Sequence, residues 1–192
     1  MTAWQVMALE SARLGGLEVP DRAFDDAREF LWNAWDDEGW FRYNHRPGRL
    51  SSDWPTLPGS TPAGIFALSL LGEDAAGERL AEARRFVLER APRRYRYTTD
   101  DAFVLRGVGN LYFWYYGTLA LFRAGGDEWR RWNEAMKDTL LPSQLGDGSW
   151  EAISTYADYA GDGRSDRTYS TAMNVLTLEV YYRYFTPLLK VK

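Results

Sequence analysis

The chain has 192 residues, 45% of them hydrophobic and 26% charged, which is the composition of a folded domain and excludes a disordered chain. A net charge of −4, from 23 basic and 27 acidic residues, excludes a global basic field for nucleic acid. Cysteine is absent, which excludes disulfides, thiolate nucleophiles and cysteine-ligated zinc. No basic patch followed by an apolar stretch opens the chain, so no signal peptide is visible and the compartment stays open. The longest aromatic-apolar run, Leu111 to Phe122, is about half the ~20 residues of a membrane span, so the chain reads as soluble.

Thr2 reads as the N-cap of a first helix. Trp4, Met7, Ala8, Ser11 and Ala12 follow at helical spacing, and Gly15-Gly16 stops it. Val19-Pro20-Asp21 opens a second helix with Asp21 as its cap. Phe24, Ala27, Phe30 and Leu31 form one stripe, with Asp25, Asp26, Arg28 and Glu29 outside. Asp36 to Trp40 is a turn with an aromatic plug at Gly39-Trp40. His45 lies in the turn-like run Asn44 to Gly48 and reads as an exposed loop residue. A third, almost wholly apolar helix runs from Ser60 to Leu71 and ends at Gly72. A fourth, charged outside, runs from Ala75 to Arg90.

Arg93-Arg94-Tyr95-Arg96 reads as a solvated loop rather than a nucleic-acid patch. Fifth and sixth helices, Leu111 to Ala124 and Glu128 to Leu141, are separated by Gly125-Gly126. Asp158 to Asp166 is an acidic glycine loop without EF-hand spacing, so it reads as a loop and cap. A seventh helix runs from Thr168 to Tyr184. The expectation is all-α: seven main helices and no appreciable sheet.

Four of these helices share one opening. Thr2-Ala-Trp-Gln-Val-Met-Ala8-Leu9, Thr61-Pro-Ala-Gly-Ile-Phe-Ala67-Leu68, Trp114-Tyr-Tyr-Gly-Thr-Leu-Ala120-Leu121 and Thr171-Ala-Met-Asn-Val-Leu-Thr177-Leu178 recur at spacings of 59, 53 and 57 residues. A period of this size means stacked copies of one supersecondary unit. The units span about 1–59, 60–109 and 110–167, with a half unit at 168–192, in one repeat domain. First helices are apolar nearly all round and belong in an inner layer; second helices are two-faced and belong outside. The aromatic turn recurs as well, and the reading pairs Trp40 with Trp150.

Gln144-Leu-Gly-Asp-Gly148-Ser-Trp150 matches the spacing of the QW motif. With the period and the alternation of inner and outer helices, the chain resembles the prenyltransferase and squalene-cyclase repeat family. Asn110 to Thr118, Gly125 to Asn133, Tyr169 to Ala172 and Leu176 to Tyr184 look still more like one subgroup, uncharacterised repeat-containing proteins of planctomycete-type bacteria. The resemblance covers nearly the whole chain. It implies an α/α toroid, here a partial one that is the C-terminal part of a longer array. It also implies a stapling role for Gln144, whose amide would bond free amides at a neighbouring helix start, and for Trp150, which would stack on the preceding helix.

The family's chemistries meet gaps in this sequence. A squalene-type cyclase protonates its substrate from an Asp-x-Asp-Asp motif. The nearest match, Thr98-Thr-Asp100-Asp101, lacks the first Asp, leaving Asp100 and Asp101 as weak catalytic candidates. The zinc site of protein prenyltransferases needs Cys, and so do thioester-forming relatives. Asp25-Asp26-Ala-Arg-Glu29 has the letters of a magnesium-diphosphate motif but falls on a charged outer face, so no metal or cofactor is expected. Sugar-cleaving toroids need paired carboxylates and aromatic platforms. Asp36, Asp37, Asp100, Asp101, Asp147 and Glu151 could serve as the acids, and Trp40, Trp54 and Trp150 as the platforms. Tyr112, Trp114, Tyr115 and Tyr116 could line a cavity for a hydrophobic small molecule.

The function expected is a non-catalytic repeat module that packs against further repeats, N-terminal to Thr2, or against a protein partner. The alternative is a terpenoid-cyclase-like or carbohydrate-acting enzyme with catalytic residues partly outside this chain. A partial array should leave an open edge beside the first helix, with Trp4, Val6 and Met7 exposed.

Overall fold

A computed structural model describes residues 2–43, 57–96, 107, 109–153 and 166–181. Helix α1 (Thr2–Leu14) stops at Gly16, whose φ of +83° suits glycine. Helix α2 (Asp21–Asn33) follows Pro20. Asp21 lies in its first turn and makes no capping bond, so the expected cap is instead a dipole-favoured acid. A short antiparallel hairpin of β1 (Trp35–Asp36) and β2 (Trp40–Phe41) comes next. It is the one departure from an all-α fold among the described residues.

Helix α3 spans Ser60–Leu70, and α4 spans Ala81–Glu89 after a single 3-10 turn, Glu78–Leu80. The expected start at Ala75 fails because Asp74 Oδ1 accepts the Ala76 N–H at 2.9 Å. That local bond holds a turn where a helix would otherwise begin. Helix α5 (Leu111–Ala124) is capped by Asn110, whose side chain accepts the Phe113 N–H at 3.0 Å. Helix α6 spans Gly126–Leu140. Helix α7 (Thr168–Leu178) tightens into a 3-10 turn at Glu179–Tyr181. The expected extension beyond that turn lies outside the described residues.

The first helices form one row: α1 packs on α3, α3 on α5, and α5 on α7. The second helices α2, α4 and α6 each pack on the first helix of their own unit. In α3 every residue from Thr61 to Ser69 is buried, and in α5 every residue from Phe113 to Phe122. On α6 only Trp132, Met136, Thr139 and Leu140 are buried. This is the polarity the two helix types called for.

Helix α1 is less buried than α3 and α5, as is α7, whose Ala172 and Val175 are exposed. Ala3, Val6 and Glu10 are buried, Met7 is half-buried, and Trp4 is 39% exposed. Val6 therefore corrects the expectation of exposure. One hundred degrees per residue separates it from the Trp4 face and turns it onto α3.

Close approach within unit three depends on Gly117. A Cβ there would lie 2.5 Å from the Trp132 ring. That ring is fully buried, and its Nε1 donates to Thr118 Oγ1 at 2.9 Å, so it has nowhere to move. Gly117→Ala is expected to lower stability by about 1–3 kcal/mol, the usual range for overpacking. A urea midpoint unchanged from wild type would refute this.

Candidate functional site

Side-chain hydrogen bonds link the turn after α2 to α3 and the turn after α6 to α7, and such links are called handovers. At the first handover, Gly39 (φ +88°) makes the hairpin turn and its N–H donates to the Asp36 carbonyl at 2.9 Å. Asp36 carboxylate accepts two bonds from Arg42, at 2.7 and 3.0 Å, which clamps the hairpin. Phe41 then faces inward, 2% exposed, against Gly64 of α3. Its backbone N–H donates to Thr61 Oγ1 at 3.1 Å. Trp40 is half-buried, and its Nε1 reaches Glu38 Oε2 at 3.4 Å.

The handover into α7 is built the same way. Gly148 (φ +86°) makes the turn, and its N–H donates to the Leu145 carbonyl at 2.9 Å. Asp147 Oδ1 accepts from Ser149 Oγ at 2.6 Å and Ser149 N–H at 3.0 Å. Those bonds, with Arg167 alongside, hold the Asp147 carboxyl below its ordinary value. Trp150 is 1% exposed, and its Nε1 donates to the Leu140 carbonyl at the end of α6 at 3.0 Å. Its backbone N–H donates to Thr171 Oγ1 at 3.2 Å.

The two turns therefore align through Gly39 with Gly148 and Phe41 with Trp150. The sequence pairing of Trp40 with Trp150 is off by one residue. Tryptophan identity suggested it, whereas backbone position decides which aromatic turns inward. Gln144 also differs from expectation. It is exposed, and its Nε2 donates to the Gly148 carbonyl at 3.0 Å. It closes its own turn and does not reach a neighbouring helix.

In the middle handover Trp114 stands at the Thr position of α5, and no Thr link is seen among the described residues. Tyr95 serves there. Its ring lies 6.1 Å from Trp114, and its hydroxyl donates to the Glu151 carbonyl at 2.7 Å. The same oxygen accepts from Asn174 Nδ2 on α7 at 2.9 Å.

Tyr112, Trp114, Tyr115 and Tyr116 are packed against side chains. Tyr116 lies 4.8 Å from Tyr112, 5.0 Å from Tyr115 and 6.2 Å from Phe66, and Trp4 stacks on Tyr115 at 5.8 Å. Burial, with Tyr112 and Tyr115 beside it, pushes the Tyr116 hydroxyl far above its ordinary value, so it stays protonated. These rings fill the space they would have to leave open to line a cavity.

Two surface hollows lie elsewhere. One of about 880 Å³ sits between α1, α2 and the carbonyl end of α3. Its arginines are already engaged: Arg28 donates to the Leu71 carbonyl at 2.7 Å and Arg123 to the Ser69 carbonyl at 3.2 Å. Arg13 pairs with Glu10 at 2.6 Å. The other, of about 590 Å³, lies beside Tyr95, Gln144 and Glu151. Among the described residues no three His, Cys, Asp or Glu side chains converge to hold a metal. Asp25 and Asp26 are exposed on α2, each ion-paired to an arginine on its own helix. Asp100, Asp101, His45 and Trp54 lie outside the described residues.

No protein-family model, curated protein or solved structure matches the chain.

Sequence reasoning missed Thr61, Thr171 and Phe41. The signal is present, since Thr heads three of the four repeated helix starts, but the sequence reading gives a role to Thr2 alone, as a cap for its own helix. Thr61→Val is expected to cost about 1–3 kcal/mol by stranding a buried N–H, and Thr61→Ser about none. Equal losses for the two variants in urea melts would refute the link.

Asp147 gives a pH test. Its folded pKa lies below the unfolded one, so its contribution is present above about pH 4 and is lost as pH falls through the folded value. Asp147→Asn should lower Tm at pH 7 and show a shallower fall in Tm below pH 4 than wild type. Parallel acid limbs for the two proteins would refute it.

Proposed function

We propose that the chain is a non-catalytic helical-repeat module of the prenyltransferase/squalene-cyclase-like α/α-toroid kind, and that it binds protein along the open flank of α1. The observation that carries this reading is the polarity of that helix. On a solvent-facing helix, charges point out and apolar groups point in. In α1 the acid Glu10 is buried beside Arg13, while Trp4, Gln5, Ala8 and Ser11 face outward without a charge among them. The outer faces of α2 and α6 carry Asp25, Asp26 and Glu29, and Asp127, Arg130, Arg131 and Glu134. An exposed uncharged helix face of this kind marks an interaction surface.

The handovers support the same reading. Their polar groups are spent on joining one element to the next: Asp36 on Arg42, Asp147 on Ser149, Tyr95 on Glu151 and Asn174. Among the described residues no helix is long and apolar enough to cross a membrane, so the surface suits a protein rather than a bilayer span.

Incubation with squalene, polyprenyl diphosphates and oligosaccharides should leave every substrate unconsumed and move Tm by less than about 1 °C, against the several degrees that ligand at 100 times its Kd produces in a chain of this size. Turnover of a terpenoid that is lost in Asp100→Asn or Asp101→Asn would overturn the module reading in favour of a cyclase. Turnover of an oligosaccharide would overturn it in favour of a glycoside-acting enzyme.

A further inference from the structure

The repeat supplies an internal measure of what belongs on α1. Superposing the four helix starts pairs Thr2 with Thr61, Trp114 and Thr171; Trp4 with Ala63, Tyr116 and Met173; Gln5 with Gly64, Gly117 and Asn174; and Ala8 with Ala67, Ala120 and Thr177. At the last three positions every counterpart is buried. Ala63 and Met173 are 7% exposed, Asn174 1%, Ala67 and Ala120 0%, and Thr177 2%. In α1 the same three positions, Trp4, Gln5 and Ala8, are exposed.

Thr2 extends the contrast to a single atom. Thr61 Oγ1 receives the Phe41 N–H, and Thr171 Oγ1 receives the Trp150 N–H. Both donors follow a left-handed glycine by two residues, and both precede their Thr by nearly the same interval, 20 and 21 residues. Thr2 is half-buried and its hydroxyl has no partner among the described residues.

From this we infer that the flank of α1 is the receiving half of the same joint, and that its occupant is a further repeat unit. That unit carries an outer helix running into a tight glycine turn, with an aromatic residue two positions on. The aromatic packs over Ala8 and beside Gln5, in the manner of Trp150, whose joint carries Asn174 at the matching position, and its backbone N–H bonds Thr2 Oγ1. The inference rests on the module reading above and names the partner.

A second copy of this chain fits less well. Both glycine turns described in it already spend their N–H on Thr61 and Thr171. The occupant must bring a turn whose donor is free. Charge adds a second argument. The flank offers no charged side chain at Thr2, Trp4, Gln5, Ala8 or Ser11, so it has nothing to hold a charged ligand and suits a neutral contact.

The test uses the absence of cysteine. Ala8→Cys places a single thiol on the flank, and Glu18→Cys places one on an exposed loop as control. Each is made in the full chain, and again with residues 111–170 of this sequence joined ahead of Thr2, which sets the added Trp150 at its native interval of 21 residues. The thiol-reactive probe is Ellman's reagent.

The added unit should slow labelling at position 8 by at least about tenfold, as burial behind a cooperative contact does. It should leave position 18 unchanged. Thr2→Val in the extended chain should return part of that reactivity. Unchanged labelling at position 8 while the helical circular dichroism rises overturns the proposal. So does an added unit that stays unfolded against α1, since the same sequence folds against α7. Protection that survives Thr2→Val overturns the hydrogen-bonded joint. These outcomes separate from those of the module reading. Substrate turnover sinks that reading whatever the thiol does, and a reactive thiol without turnover sinks only the partner.

Discussion

Two helices buried on every side constrain the rest of this molecule. Helices α3 and α5 have no face left for water, so their outward-facing groups turn to neighbours, and Trp114 Nε1 is an exception, buried without a hydrogen-bond partner among the described residues. Their backbones satisfy themselves as helices do, but their ends and their few hydroxyls cannot. Thr118 returns its hydroxyl to the Trp114 carbonyl at 2.8 Å and accepts from Trp132. Ser69 donates to the Phe66 carbonyl at 2.7 Å. Arg28 and Arg123 close the carbonyl end of α3 from two other helices. Burial pulls the Arg123 pKa down and the Glu10 charge pulls it back up, which is the balance of a guanidinium used as a structural donor.

The same constraint explains the handovers. A chain leaving an outer helix must cross the end of one buried helix to start the next. Its N–H groups pass through a dry region on the way. The Phe41 and Trp150 amides are the ones stranded there, and a Thr on the incoming helix accepts each of them. Glycine at the turn allows the reversal, and the aromatic after it fills the gap between layers. Gly39 has a second reason to be glycine: a Cβ on it would lie 2.4 Å from Glu82 Cβ on α4. One residue thus sets both the turn and the distance between units.

The layering was legible in the sequence because it depends on periodicity, which is local. The ends of α1, α2, α3 and α5 follow from Gly16, Pro20, Gly72 and Gly125. What was not legible depends on position in space. Trp40 and Phe41 are neighbours, and only the strand register at Trp35 and Phe41 decides which turns inward. Gln144 could bond any amide within reach, and the nearest acceptor in its own loop won. Val6 was grouped with Trp4 and Met7 by proximity in sequence, although the helix places it on the opposite side. Two-residue strands carry too little pattern to announce themselves. The aromatic run at Tyr112 to Tyr116 was equally ambiguous, since rings that could line a cavity also fill one.

The middle handover shows how far the joint can vary and still close. At the Thr position α5 carries Trp114, which offers no acceptor. Tyr95 comes in from the preceding unit instead, stacks at an angle on that ring and sends its hydroxyl past it. Through one oxygen it fastens the end of unit two to the turn of unit three and to α7. Where the other joints reach one first-type helix, this one reaches two, α5 and α7. Loss of the Thr acceptor is thus offset by a longer-reaching donor. The requirement that persists across all three joints is a satisfied polar group behind an aromatic ring, and the residue types are free to change around it.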